Sequence, residues 1–371
     1  MKNPGFSNRC IVISKEALLS MEKRITYHEQ TDVKNTLKLR EILKTLPPFC
    51  RDYFRALEAT TTTKTRISYA YDIRVFFQYL LEENPTFKNR PMDQFTVDIL
   101  DQLQVLDIEE YQEYLKVYQN QNKTTTNGER GLKRKMSSLR SFYAYYYKRE
   151  MIETNPTLLV DMPKLHQKAI TRLDADEVAL LLDYIEHAGD ELTGQKKVYY
   201  EKTKERDLAL VTLLLGTGIR VSECVGLDVE DLDFKNNGIK VTRKGGGEMI
   251  VYFGSEVETA LRRYLKARDN ITPVVGHEHA LFYSTQRKRL GVQAVENLVK
   301  KYASQITTTK KITPHKLRST YGTALYQETG DIYLVADVLG HRDVNTTKKH
   351  YAAIDDSRRR KAASAVTLRE K

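Results

Sequence analysis

Apolar residues recur every three to four positions through most of the first half of the chain, a spacing typical of amphipathic helices. This pattern runs from about residue 33 to 162. Segment 65–83, "TRISYAYDIRVFFQYLLEE", carries one apolar stripe, and segments 107–119 and 132–150 carry two more. We therefore predict a small helical bundle in this half. Three basic residues lie off the stripe of the third segment: Lys133, Arg134 and Arg140.

The second half combines helical patterns with an alternating one. Segment 205–220 is an apolar helix ended by glycines, whereas segment 233–253 alternates around a glycine turn, which predicts an antiparallel hairpin. A further helix is predicted to begin at Pro314 and to end at Gly330. The two halves are separated at about 161–171 by a segment with prolines and little periodicity, which we interpret as a linker.

These patterns predict a fold that is mainly α with a small antiparallel β-sheet, in the α+β class. At 371 residues the chain is longer than one hydrophobic core usually supports, so we expect two domains. We place the first at 1–165, with an extension at about 1–45, and the second at 172–371.

The net charge of the chain indicates a class of binding partner. Lysine and arginine total 60 against 49 aspartates and glutamates, a net charge of +11. This balance favours a polyanion such as nucleic acid. Mild basicity is also common in proteins for solubility, so charge alone does not decide.

Cysteine usage and hydropathy bear on the compartment. Cys10, Cys50 and Cys224 are too few and too scattered for a disulfide framework or a thiolate metal site. The amino terminus lacks the apolar region of a secretion signal, and no apolar run is long enough to span a bilayer. We expect a soluble protein of the cytoplasm.

The candidate chemistry of the second half is concentrated in four short motifs. They are "GTGIRVSE" at 216–223, "TRKGGGEM" at 242–249, "TPHKLR" at 313–318 and "LGHRDVNTTKKHY" at 339–351. Taken singly, each functional residue has an ordinary structural interpretation; Arg220, for example, could simply pair with Glu223. Together the motifs supply two arginines, a lysine, two histidines and a tyrosine: Arg220, Lys244, His315, Arg318, His341 and Tyr351.

This set of side chains suits a phosphodiester. Arginine presents a planar fork of N–H donors that can bind two phosphate oxygens at once, and it keeps its charge. Negative charge grows on those oxygens in the transition state, so donors fixed in advance stabilise that state more than the ground state. Tyr351 could be the nucleophile, because nearby cations favour its phenolate. Lys244, on a flexible glycine hairpin, could protonate the departing oxygen.

In this order, "GTGIRVSE", "PHKLR" and "LGHRDVNTTKKHYA", with the lysine hairpin between the first two, resemble the tyrosine recombinase family, which includes the Xer recombinases and the integrases of phages and transposons. The resemblance is strongest over about 172–354. It implies that Arg220 and Arg318 are the family's arginine pair and His315 and His341 its two histidines. It also implies that Lys244 is the hairpin lysine and Tyr351 the nucleophile.

Three positions depart from the family pattern. Ser319 stands where a histidine is frequent, and Gly247 and Met249 stand where further basic residues often follow the hairpin lysine. Arg243 and Lys240 are therefore alternatives for the role of Lys244.

The resemblance further implies a site-specific DNA recombinase with a helical, SAM-like core-binding domain and a C-terminal catalytic domain. Attack by the tyrosine would form a 3′-phosphotyrosine bond that stores the phosphodiester energy, so no cofactor and no metal are expected. The implied partners are double-stranded DNA with a specific recombination site and other copies of the chain in a tetramer, or a second recombinase. Within such a tetramer the tail 357–371 would pack on the next protomer. The task that this implies is chromosome dimer resolution and partition, integration and excision of a mobile element, or DNA inversion.

Basic residues of the first half could add contacts to DNA phosphates and groove edges. They could equally be solvated surface residues. The candidates are Lys64, Arg66, Lys133, Arg134 and Arg140.

Three other functions remain open at this point. A monomeric topoisomerase would use the same phosphotyrosine chemistry, and a DNA-binding regulator could carry an inactive site. A zinc hydrolase could use His315, His341 and His350, although the basic residues around them would repel a dication.

Overall fold

The computed structural model describes residues 26–120, 123–166, 170–243, 245–341, 343–345 and 347. Backbone contacts divide the chain into two compact units, residues 1–167 and 168–371. The described residues are mostly helical, with two small antiparallel sheets. The predicted mainly α fold with a small antiparallel sheet is therefore confirmed. Among the helices that the structure describes, none is both long enough and apolar enough to cross a membrane.

The described part of the first unit consists of helices and one β-hairpin. Its first helix begins with a capping box, in which Thr26 and Glu29 each accept a hydrogen bond from the other's backbone N–H. The elements are α1 (Tyr27–Leu43), α2 (Cys50–Ala56), α3 (Thr63–Glu82), α4 (Ile99–Gln102), α5 (Val105–Tyr114), β1 (Val117–Asn120), β2 (Lys123–Thr126) and α6 (Glu129–Tyr147).

Aromatic rings form the centre of this unit. The ring of Phe142 on α6 lies 5.1 Å from the ring of Tyr53 and 6.2 Å from that of Phe77 on α3, in edge-to-face contacts. Such contacts are favoured by the quadrupole of the rings. The apolar stripes predicted in 65–83 and 132–150 supply this core, and the helices predicted there are confirmed.

The helical prediction for segment 107–119 is wrong beyond Tyr114. Helix α5 ends there, and β1 pairs with β2 in antiparallel register, with Tyr118 opposite Thr125. Tyr118 is buried and stacks on the ring of Tyr114 at 5.3 Å, while β2 is a threonine-rich run. Both features favour a strand, because β-branched and aromatic residues pack well on a pleated surface.

The second unit surrounds a long central helix, α8, whose second half is almost fully buried. The predicted hairpin is confirmed: β4 pairs with β5 in antiparallel register, with Ile239 opposite Val251. The helix predicted from Pro314 to Gly330 is also confirmed, with Gly330 as its left-handed C-cap. The elements are α7 (Ala175–His187), α8 (Gly194–Thr217), α9 (Val221–Gly226), β3 (Leu232–Asp233), β4 (Gly238–Thr242), β5 (Glu248–Tyr252), α10 (Ser255–Arg268), α11 (Val292–Ile306), α12 (Pro314–Thr329) and α13 (Ile332–Leu339).

Candidate active site

The site is built where α8 ends and the chain reverses. Gly218 has a φ of 62°, the left-handed conformation that glycine adopts readily. A Cβ at this position would lie 2.4 Å from Cδ1 of Tyr321 on α12, so the close packing of α12 also requires glycine. The reversal places Arg220 at the N-cap of α9.

Arg220 is fixed by a buried carboxylate. Its Nη1 donates to Oε1 of Glu223 at 2.8 Å, and its backbone N–H donates to Oε2 of the same residue at 2.8 Å. The side chain of Glu223 is 3% exposed, whereas that of Arg220 is 33% exposed. The pairing expected from the ordinary structural interpretation is therefore present, and yet part of the guanidinium still faces solvent.

Arg318 lies on α12 and is almost fully buried. Its Nη1 donates to the carbonyl of Gly218 at 2.6 Å, and its Nη2 donates to the carbonyl of Leu339. The guanidinium thus joins the C-terminal ends of α8 and α13. The last carbonyls of a helix have no partner within the helix and carry partial negative charge, so a cation is favoured there.

The end of α13 binds further arginines. Gly340 has a φ of 60°, its N–H donates to Asp337 and the N–H of His341 donates to Ala336, which is a Schellman-type termination. This arrangement leaves the last carbonyls of the helix for side-chain donors. The carbonyl of Leu339 accepts from Arg318, and that of Gly340 accepts from Nη2 of Arg220 at 3.1 Å. Arg220 and Arg318 are therefore brought to adjacent residues of a single turn.

The two histidines of the predicted set lie close in sequence to these arginines. His341 follows Gly340 directly, and its Nδ1 lies 2.7 Å from Oγ1 of Thr347, a contact that orients the ring. His315 is exposed on the first turn of α12, three residues before Arg318 and hence on the same side of the helix. Ser319 donates to the carbonyl of His315 at 3.1 Å.

Two predicted residues, Lys244 and Tyr351, lie outside the described residues. The hairpin is described on both sides of position 244. The N–H of Arg243 donates to the carbonyl of Gly247 at 2.7 Å, and the N–H of Gly246 donates to the carbonyl of Arg243 at 3.0 Å. The roles of Lys244 and Tyr351 stay predictions from the sequence.

Arg243 has a place in the site that the sequence did not assign to it. Its Nη1 donates to Oε2 of Glu223 at 3.1 Å, so Glu223 holds two arginines. Sequence reasoning named Arg243 as an alternative for Lys244 and named Glu223 as a simple ion-pair partner. The available signal was the three-residue spacing of Arg220 and Glu223, at which a carboxylate in the first turn of α9 can accept from the N-cap backbone N–H.

In the first unit, a buried carboxylate engages one of the predicted DNA-binding residues. Nη1 of Arg134 donates to Oδ2 of Asp72, and Nζ of Lys135 donates to Oδ1 at 3.2 Å. The side chain of Asp72 is 1% exposed. Burial raises the pKa of this carboxyl group, against the opposite influence of Lys135 and Arg134.

The other four predicted DNA-binding residues differ in their surroundings. Lys64 is exposed and Lys133 is half-buried. The side chain of Arg66 is 8% exposed and pairs with Glu58 at 3.2 Å. Arg140 donates to two backbone carbonyls of the segment that follows α6. Contacts within the fold thus engage several of these cations, and the DNA-binding role of all five stays a prediction.

Known proteins are similar to this chain in sequence and in fold. The model of the phage integrase family matches residues 171–358. Tyrosine recombinase XerC of Caldanaerobacter subterraneus subsp. tengcongensis is 32% identical over 344 residues, which cover 90% of this chain and 91% of that protein. Tyrosine recombinase XerS of Streptococcus uberis is 29% identical, with coverages of 87% and 96%.

Solved structures agree in fold. The XerH recombinase bound to a palindromic difH substrate has a TM-score of 0.60 at 20% identity, with 82% of this chain and 80% of that chain covered. A lambda integrase dimer bound to a COC′ core site has a TM-score of 0.57 at 16% identity, with coverages of 82% and 93%.

Proposed function

Because the chain belongs to the phage integrase family of tyrosine recombinases, we propose that it breaks and rejoins DNA strands at a specific recombination site, with Tyr351 as nucleophile. The convergence of Arg220 and Arg318 on the adjacent carbonyls of Gly340 and Leu339 carries this proposal. Two fixed cations at one turn are what a scissile phosphate requires.

The anchoring of the arginines favours catalysis over simple binding. Each guanidinium is held by carbonyl or carboxylate oxygens of the fold, so its orientation is set before substrate arrives. Donors that need no reorganisation stabilise the developing charge on phosphate oxygens most effectively. A guanidinium has five N–H donors. One donor on each Nη of Arg220 is used within the fold, and a third of this side chain faces solvent.

The proposed reaction is balanced without an external energy source. The phenolic oxygen of Tyr351 forms a bond to phosphorus, and the bond from phosphorus to the 5′ oxygen breaks. Lys244 gives a proton to that departing oxygen, and the phenol releases its own proton to water. Arg220 and Arg318 bind the non-bridging oxygens, with His315 and His341 as further donors. The reverse steps with a second 5′ hydroxyl rejoin the strand, so neither a nucleotide nor a metal is called for.

The proposed partners follow the same resemblance. Double-stranded DNA with a specific site is the substrate, and the active assembly is a homo-tetramer or an assembly with a second recombinase. The tail 357–371 is proposed to pack on the neighbouring protomer. The reaction is assigned to the cytoplasm, and the task to chromosome dimer resolution or to integration and excision of a mobile element. The Xer names of two relatives support the first task.

A covalent adduct on nicked DNA tests the proposed function. Duplexes that bind the full chain are first selected from a random-sequence library, nicked near each candidate phosphate and incubated with wild type or with Tyr351→Phe. We expect a protein–DNA band that resists sodium dodecyl sulfate for wild type and none for Tyr351→Phe. Adduct with both proteins would refute Tyr351 as nucleophile. Specific binding with no adduct would indicate a regulator, and relaxation of supercoils without site preference would indicate a topoisomerase.

A further inference from the structure

Arg243 directly follows Thr242, the last paired residue of β4, and precedes the glycine turn of the β4–β5 hairpin. Its backbone N–H donates to the carbonyl of Gly247, and its own carbonyl accepts from the N–H of Gly246. Arg243 is therefore held at the start of the turn, and the next residue in the sequence is Lys244.

The guanidinium of Arg243 is directed into the fold. Its side chain is 13% exposed. Nη2 donates to the carbonyl of Val338 at 2.9 Å, and Nη1 lies 3.3 Å from the carbonyl of Leu339 and 3.1 Å from Oε2 of Glu223. These acceptors are two terminal carbonyls of α13 and a buried carboxylate, and both kinds favour a cation. A planar fork reaches all three, whereas the compact ammonium of a lysine cannot.

Arg243 thereby contacts the groups that hold both arginines of the site. Glu223 also accepts from Nη1 of Arg220, and the carbonyl of Leu339 also accepts from Nη2 of Arg318. The turn itself is packed on Arg243, because a Cβ at Gly340 would lie 2.9 Å from Cζ of this guanidinium.

We propose that Arg243 is a positioning residue that fastens the lysine hairpin to the turn at Leu339 and Gly340, where Arg220 and Arg318 also bind, so that the hairpin and the two arginines meet one phosphate in a fixed arrangement. This inference rests on the proposed function. Arg243 is then neither a substitute for Lys244 nor a phosphate ligand. Its removal should slow cleavage of DNA that is already bound, because catalysis depends on the placement of the reacting groups more steeply than binding does.

The test separates binding from cleavage in the full chain. Nicked duplex is titrated to obtain the Kd, and the rate of adduct formation is then measured in a single turnover at saturating DNA. For Arg243→Ala we expect a Kd within about threefold of wild type and a cleavage rate lower by about 10- to 100-fold. Arg243→Lys keeps the charge and a long stem, and because it loses the fork we expect it to regain less than half of the loss on a logarithmic scale.

Arg262→Lys is the matched control, because Arg262 is an exposed arginine of α10 that pairs with Glu258 at 2.8 Å. We expect wild-type binding and cleavage from it. Thermal unfolding of each variant shows whether it folds, and Arg243→Lys keeps the test valid if Arg243→Ala does not.

Three results would overturn the inference. They are wild-type cleavage by folded Arg243→Ala, a loss that appears in Kd and disappears at saturating DNA, and full recovery of cleavage by Arg243→Lys, which would mean that charge alone matters. If wild type itself forms no adduct, the proposed function fails instead, so the two failures are distinguishable.

Discussion

Each unit of the chain buries a carboxylate between two basic side chains, and the surroundings of the two clusters differ. In the first unit, Asp72 accepts from Arg134 and Lys135 within a helical, aromatic core. Burial raises the pKa of Asp72, which shows that its negative charge is disfavoured by the loss of water. We interpret this cluster as part of the core of the first unit.

In the second unit, Glu223 also holds two cations, Arg220 and Arg243, but these continue to the carbonyl end of α13. There they meet Arg318 at a turn whose backbone supplies the acceptors. Each cluster has one more exposed cation, Arg134 at 47% and Arg220 at 33%, and one largely buried cation, Lys135 at 8% and Arg243 at 13%. Exposure of the cations therefore does not separate the two clusters. The difference lies in the acceptors, because backbone carbonyls at the end of α13 and at Gly340 orient the guanidinium groups of the second cluster in addition to the carboxylate.

The largest expected effect comes from removing one of the arginines that bind the turn at Leu339 and Gly340. For Arg318→Ala or Arg220→Ala we expect single-turnover cleavage of nicked DNA to fall by about 10³-fold or more, since each change removes donors to the developing charge. Circular dichroism should show a folded protein, and the Kd for DNA should rise by less than about tenfold. A cleavage rate within tenfold of wild type would remove the distinction between the two clusters.

Removing a cation from the Asp72 cluster should lower stability and leave cleavage nearly unchanged. For Lys135→Met we expect the free energy of unfolding at neutral pH to fall by about 3 kcal/mol, because Asp72 then stays buried without this partner. Cleavage by the folded variant at saturating DNA should stay within about twofold of wild type. Urea unfolding and single-turnover cleavage check the two halves of this prediction, and a large loss of cleavage would contradict it.

The same variant gives a pH dependence of known sign. The folded state raises the pKa of Asp72 above its ordinary value of 3.8 and so binds the proton more tightly than the unfolded chain does. Protonation of Asp72 therefore stabilises the fold below the unfolded pKa, and this stabilisation is lost as pH rises through the folded pKa. Lys135 lowers the pKa of Asp72, so without it the folded-state pKa is higher and the loss of stability with rising pH is larger. The stability gap between wild type and Lys135→Met should widen between about pH 3 and pH 7, and a gap that narrows would refute the assignment.

The smallest of these effects is expected at the turn's glycine. For Gly340→Ala we expect a loss of about 1 to 2 kcal/mol of stability from the left-handed φ, together with about tenfold slower cleavage because the new Cβ displaces the Arg243 guanidinium. Gly276→Ala is the matched control, since Gly276 has a φ of 84° and nothing lies within 4 Å of a Cβ built there. Gly276→Ala should lower stability and leave the cleavage rate unchanged. Equal cleavage by both variants would show that the contact with Arg243 is unimportant.

Local signals in the sequence were sufficient for much of the second unit. A glycine turn between alternating strands predicted β4 and β5, and Pro314 with Gly330 marked the ends of α12. These features depend on neighbouring residues, whose conformational preferences are strong. The hairpin of β1 and β2 was missed because the tyrosines of segment 107–119 fit a helical spacing as well as a strand.

The arrangement of the site was predictable in part. The resemblance grouped Arg220 with Arg318, and the structure places both at one turn. The contacts of Arg243 could not be predicted, because its partners at Val338 and Leu339 are backbone carbonyls and every residue carries one. The pattern of side chains in a sequence does not indicate which backbone carbonyls at a helix end accept hydrogen bonds from a residue that is distant in the chain.

The central claim is that Arg220 and Arg318 neutralise the phosphate that Tyr351 attacks, and a substrate that lacks this charge tests it most directly. A nicked duplex with a methylphosphonate at the scissile position replaces one charged oxygen by a methyl group. Single-turnover adduct formation is compared for wild type and Arg318→Ala on both duplexes. We predict that the loss of about 10³-fold on phosphate shrinks to less than about tenfold on methylphosphonate. An equal loss on the two substrates would contradict the account.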